Sequence, residues 1–132
     1  MMTPNATKEH SSPRSISLPR MLLHIEGLSV FIAAIALYGQ QGYSWLAFAL
    51  LLLVPDLAII GYALNQRVGS IAYNVLHTYS LPLLLGLLSL FFGWSLGPQL
   101  ALIWLAHIGM DRTVGYGLKY TSGFNDTHLS RV

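Results

Sequence analysis

Long apolar runs, separated by short clusters of glycine and polar residues, set the pattern of this chain. Four runs stand out: Met21 to Tyr38, Tyr43 to Leu64, Ile71 to Phe92 and Pro98 to Val114. A bilayer core of about 30 Å takes about 20 mostly apolar residues at about 1.5 Å per helical residue, which these runs approach or reach. Gly39 to Gly42, Asn65 to Ser70 and Gly93 to Gly97 separate them, and such punctuation predicts tight helix hairpins. Residues 1–20 contain Pro4, Pro13, Pro19 and several serines without apolar periodicity, so they read as a disordered tail. The expectation is an all-α integral membrane bundle of four transmembrane helices over residues 21–114, followed by a cytoplasmic or interfacial tail over residues 115–132.

Composition supports that solvent. Of 132 residues, 54% are hydrophobic and 9% charged, against about 25% charged in a typical soluble domain. The net charge of +2 comes with only seven Lys and Arg, too few for a nucleic-acid face. Their placement is topological instead. Lys8, Arg14 and Arg20 precede the first run, Arg67 lies between the second and third, and Arg112, Lys119 and Arg131 follow the fourth. In a four-span chain these positions share one side, which the positive-inside rule makes cytoplasmic, with both termini there. Tyr38, Tyr43, Trp45 and Trp94 would form the outer aromatic belt. Ala34, Ile35 and Ala36 offer a small-x-small cleavage pattern, but the long polar lead and Glu26 argue against a signal peptide. The bilayer is the expected partner. Ser29 and Ala33 form a small face that would allow a homo-oligomer. No nucleotide-binding glycine pattern and no serine nucleophile elbow occur, and the absence of Cys excludes thiolate chemistry.

Ionisable groups inside a span cost about 2.5–3.5 kcal/mol each on insertion scales, and here they agree in depth. From the cytoplasmic ends, Glu26 lies about 8 Å in, Asp56 about 12 Å, Asn74 about 5 Å and His77 about 9 Å. His107 and Asp111, four apart on one face, close the fourth span at that same end. His24 and Glu26 cannot point the same way, so Glu26 turns inward and His24 sits at the interface or packs against a neighbour. Pro55 and Pro82 free the carbonyls of Leu51 and Thr78 and bend the helices beside Asp56 and His77.

These residues suit a divalent ion such as zinc, iron or manganese, with His77, His107 and Asp111 as ligands and Asp56 or Glu26 as general base. Tyr73 and Asn74 would stand behind the ligands, with Arg112 or Lys119 holding an anionic head group. Tyr116, Tyr120 and Phe124 lie four apart, as an interfacial helix or a loop folded over the pocket would place them. His128 belongs either to that lid or to the site as a further imidazole; His10 has no role. Two other readings fit the same residues: a structural polar network without chemistry, and a small proton or solute transporter. Whether the protein is an enzyme stays open on these grounds.

The strings Ile25-Glu26-Gly27, Pro55-Asp56-Leu57 with Gly61 and Tyr62, Tyr73-Asn74 with His77 and Tyr79, His107 to Arg112, and Gly115 to Tyr120 followed by Thr127-His128-Leu129 resemble the bacterial family called domain of unknown function 4260. The resemblance covers residues 21–131. It implies a small multi-pass protein of the bacterial cytoplasmic membrane and brings no activity with it. His24 stands where the family often has Arg or Lys, and Ser130 where Gly is common. A fainter likeness, to metal-dependent hydrolases of the bacterial inner membrane, is analogy alone.

Overall fold

The structure, a computed structural model, describes residues 15–132; residues 1–14, with most of the expected tail, lie outside the described residues. Helix α1 (Leu18–Gln40) starts earlier than the apolar pattern suggested. Ser17 caps it by accepting the Arg20 N–H at 3.3 Å, and Pro19 sits in the first turn, where a missing N–H costs nothing. Next come α2 (Trp45–Leu51), a 3-10 segment (Val54–Ala63), α3 (Gln66–Leu76), α4 (Ser80–Phe92), α5 (Leu96–Val114) and the short α6 (His128–Arg131). The chain is all-helical; among the described residues the only extended pairing is a single bridge between Lys119 and Thr127.

Two of the four expected spans are not simple α-helices. Between Tyr43 and Leu64, regular α-helix ends at Leu51. Pro55 cannot donate to Leu51, and the chain continues with tighter i to i−3 bonds such as Asp56 N–H to Leu53 O at 3.1 Å. The third run breaks at His77 to Tyr79, where α3 and α4 meet at a bend of 44°. Pro82 removes one donor there, and two side chains satisfy carbonyls that the break exposes: Trp104 Nε1–H donates to Leu76 O and the Arg112 guanidinium to His77 O, both at 2.7 Å. Helix α3 also begins at Gln66 rather than Ile71, because the Asn65 side chain accepts the Val68 N–H at 2.8 Å and caps it.

Leu18–Gln40 and Trp45–Ala63 are long and apolar enough to cross a membrane, and the bent α3–α4 pair makes a third candidate. Polar residues near its C-terminal half leave α5 less apolar than these. It is the central helix, buried on nearly every side and packed against both α1 and α4. Outward-facing Leu46, Leu50, Ile60, Leu90 and Phe91 are each at least 69% exposed, as suits a molecule whose exterior meets lipid.

Helices α1 and α5 touch through glycine. A Cβ on Gly109 would lie 2.7 Å from the Phe31 backbone nitrogen and 2.8 Å from the Gly27 carbonyl, so only glycine permits this approach. Ser29, on the small face expected to allow a homo-oligomer, is exposed on the outside of α1 and bonds back to Ile25 O at 2.8 Å. Tyr38 is fully buried instead of belting the surface. Gln99 donates to its hydroxyl at 3.0 Å, the hydroxyl donates to Ser44 O, and Tyr43, Trp45 and Phe48 surround the ring.

Candidate metal centre

The same irregularities that break the helices deliver the polar side chains. Asp56 stands in the first turn of the 3-10 segment, His77 at the α3–α4 break, and His107 with Asp111 one turn apart on α5. Their donor atoms converge. His77 Nε2 lies 3.0 Å from His107 Nε2, 3.3 Å from Asp56 Oδ1 and 3.3 Å from Asp111 Oδ2. His107 Nε2 lies 3.2 Å from each of the same two carboxylate oxygens. One atom from each of the four residues falls within 4.8 Å of the other three.

Those edges match a coordination polyhedron. Zinc bonds of about 2.0 Å to nitrogen or oxygen give a tetrahedral donor–donor edge of about 3.3 Å. A six-coordinate ion with bonds near 2.1 Å gives a cis edge of about 3.0 Å. Five of the six separations, at 3.0–3.3 Å, fall in that interval. Charge fits as well: two neutral imidazoles and two carboxylates sum to the charge that a divalent ion cancels, and an uncompensated pair of carboxylates in an apolar bundle is costly.

The surroundings orient the ligands. His77 Nδ1 bonds to Tyr73 O at 2.7 Å; a carbonyl only accepts, so the proton is on Nδ1 and the Nε2 lone pair faces the cluster. The Tyr73 ring stacks on the imidazole at 3.7 Å and 6°. Both imidazoles are fully buried, and His107 Nδ1 has no hydrogen-bond partner. Asp111 is nearly buried, whereas the Asp56 side chain is 38% exposed, which makes Asp56 the open edge of the cluster.

That edge faces a cavity of about 230 Å³ lined by Asp56, Asp111, Tyr73, Tyr116, Lys119 and Phe124. Its cover is the C-terminal segment, folded as a loop and not as an interfacial helix. Gly115 leaves α5 with φ +101°, a conformation that favours glycine. Asn74 then grips the backbone of Lys119 from both sides: Nδ2–H donates to Lys119 O at 2.7 Å, and Oδ1 accepts the Lys119 N–H at 2.6 Å. The Lys119 ammonium is buried, bonds Phe124 O at 2.8 Å, and lies 3.6 Å from the Phe124 ring and 4.5 Å from the Tyr73 ring. Burial pushes its pKa below the usual lysine value, while Asp111 and Asp56 pull it back up.

A family model described as domain of unknown function (DUF4260) matches residues 20–132. The chain belongs to the DUF4260 family. No curated protein and no solved structure matches it. The family description carries no activity, so the chemistry of this DUF4260 chain rests on its own residues.

Several candidates lie elsewhere. Glu26 is exposed and lines a separate cavity of about 230 Å³ with Thr78, Tyr79, Leu118 and His128. It does not join the cluster, because the glycine contact between α1 and α5 fixes how α1 is turned. His128 is likewise outside the donor set. Its Nδ1 accepts the Leu118 N–H at 2.8 Å, so it pins the loop, and burial next to Arg112 lowers its pKa from the ordinary 6.5. Arg112 is buried and spends its guanidinium on Tyr116 O and His77 O, at 2.8 and 2.7 Å. His24 packs against a neighbour: its Nδ1–H donates to Thr113 O at 2.9 Å. Asp56, expected in the same constellation and as a base, stands among the donor atoms. One contribution was missed from sequence: Asn74 holds the backbone of Lys119 instead of backing a ligand, and a contact across 45 residues leaves no spacing signal.

Proposed function

We propose that this protein binds one divalent metal ion through His77, His107, Asp111 and Asp56, and that the centre is hydrolytic toward a lipid-like substrate. The convergence of four donor atoms at coordination-like separations supports this more than any other observation. In this reading the three buried residues are the permanent ligands. Asp56, at the rim, is the fourth and the general base that takes a proton from attacking water. A divalent ion held there polarises water and an ester oxygen. An apolar groove of about 270 Å³, lined by Leu51, Pro55, Leu76, Ile103 and Trp104 among others, favours a lipid-like substrate. Pro55 and Leu76 directly precede Asp56 and His77 in the chain, so the groove lies near the centre, though none of the four donor residues lines it.

In the same proposal α1, α2 with the 3-10 segment, α3 with α4, and α5 are four passes through the bacterial cytoplasmic membrane. Both termini are cytoplasmic in this reading by the positive-inside rule, applied to the order of Arg20, Arg67, Arg112, Lys119 and Arg131 along the chain. The bond from Arg20 Nε to Leu129 O at 2.8 Å, which ties the start of α1 to the C-terminal segment, supports a common side.

Elemental analysis of protein purified in mild detergent tests the centre. Wild type should carry zinc, iron or manganese near one per chain, and His107→Ala and Asp111→Ala should lose it while still inserting into membranes. Well-folded wild type without metal would overturn the reading.

A further inference from the structure

Resting on that metal centre, we infer that Lys119 makes the adjoining cavity an anion site, and that the group it receives beside the ion is a phosphate. Of the basic residues near the centre, Arg112 is committed to backbone carbonyls, whereas Lys119 Nζ has one protein acceptor, Phe124 O. An ammonium carries three N–H donors, so two remain for a ligand. The residue is 5% exposed and lines the same cavity as Asp56 and Asp111, so its free donors and the open edge of the donor cluster adjoin one cavity. A lysine held that deep without a carboxylate partner within ion-pair distance is costly unless an anion completes it.

The mounting of Lys119 is as specific as its position. Asn74 makes two backbone bonds to it, and the opposing bridge to Thr127 fixes the strand from the other side. The rings of Tyr73 and Phe124 hold the ammonium between them. Loop residues rarely receive this much support merely to cover a core, and the arrangement keeps a flexible side chain aimed at one place. The cavity, about 230 Å³, has room for a phosphate and part of what it is attached to, and a longer substituent would leave through the rim where Asp56 is exposed. Tetrahedral oxyanions suit the pair of anchors, one oxygen toward the ion and others toward Nζ. Asn74 is a positioning residue in this arrangement, acting through Lys119.

Full-length protein loaded with cobalt(II) in detergent provides the test, because its visible absorption reports the coordination sphere. Inorganic phosphate and dihexanoyl phosphatidic acid are titrated separately. Either should perturb the wild-type spectrum; a response to phosphatidic acid alone would assign the site to a lipid head group, and an equal response to both would assign it to the free anion as well. Lys119→Met should take up cobalt normally and bind phosphate about tenfold to a hundredfold more weakly, as loss of one charged hydrogen bond implies. Lys119→Arg should retain most of the affinity, and Asn74→Ala should lose part of it with cobalt uptake unchanged. If wild type takes up cobalt and neither phosphate nor phosphatidic acid has an effect, or Lys119→Met responds to them as wild type does, the anion site is wrong and the metal centre stands. If wild type takes up no cobalt, the metal centre falls and this inference with it.

Discussion

Two buried polar groupings sit in different parts of the molecule and obey different rules. Around Tyr38 the buried hydroxyl has a donor and an acceptor: Gln99 donates to it, and it donates to Ser44 O. At the His77 and His107 cluster, four acceptor-type atoms face one another instead. His77 has spent its proton on Tyr73 O. If His107 carries its proton on Nε2, its buried Nδ1 is left without a donor; if on Nδ1, no proton lies among the four atoms. The first grouping is complete as protein. The second is left short of protons, and the divalent cation proposed above would complete it, which is what would separate a centre from a joint.

The largest expected effect therefore comes from taking the cation away. A ligand at a thousandfold excess over its Kd stabilises the folded state by about 4 kcal/mol, so a strong chelator should lower the thermal midpoint of wild type by several degrees. Adding back zinc or manganese should restore it. The same chelator should not move the midpoint of His107→Ala, whose centre is already lost. A midpoint indifferent to chelator and metal in wild type would make the cluster another joint and erase the contrast with Tyr38.

Much of the centre was legible because cost and depth can be read from a sequence. His77, His107, Asp111 and Asp56 were selected as expensive residues at one level of the bundle, and helical spacing paired His107 with Asp111 on α5. The helical class followed from the apolar runs, and membership in DUF4260 followed from motifs spread along them. What failed needed information from distant residues. The break at His77 to Tyr79 holds because Trp104 and Arg112 supply donors to its carbonyls, and neither is near it in the chain. Glu26 was aimed inward by local spacing, but the turn of α1 is set by Gly27 against Gly109, a fit between two helices that neither records alone. The fold of the C-terminal segment depends on Asn74 in the same way.

A smaller effect should appear in the loop that covers the centre. His128 accepts the Leu118 N–H with Nδ1, and its pKa is lowered from 6.5 by burial and by Arg112. A lowered histidine pKa means that the undocked loop binds the proton more tightly, so docking is complete above about pH 6.5 and weakens as pH falls below it. Hydrogen exchange at the Leu118 amide should accelerate at pH 5.5 relative to pH 7.5, after correction for intrinsic rates, while amides of α5 stay protected. His128→Gln, which still offers an acceptor but does not titrate, should remove the difference. Equal protection at both pH values in wild type would mean that His128 does not hold the loop.

The smallest effect belongs to the self-sufficient joint, and it sharpens the comparison from the other side. Tyr38→Phe removes the hydroxyl between Gln99 and Ser44 without changing the aromatic packing on Tyr43, Trp45 and Phe48. Leaving those partners unmatched should cost about 1–3 kcal/mol. Adding Gln99→Leu should recover part of that loss, because removing both polar partners is nearly neutral when the shape is kept. Metal content should be untouched in both variants. The equivalent pairing at the centre, His107→Leu with Asp111→Leu, should show no such recovery in metal content, since the two residues serve a third party and not each other. If the double variants behaved alike in stability and metal content, the two groupings would be of one kind and the case for a cation would rest on charge alone.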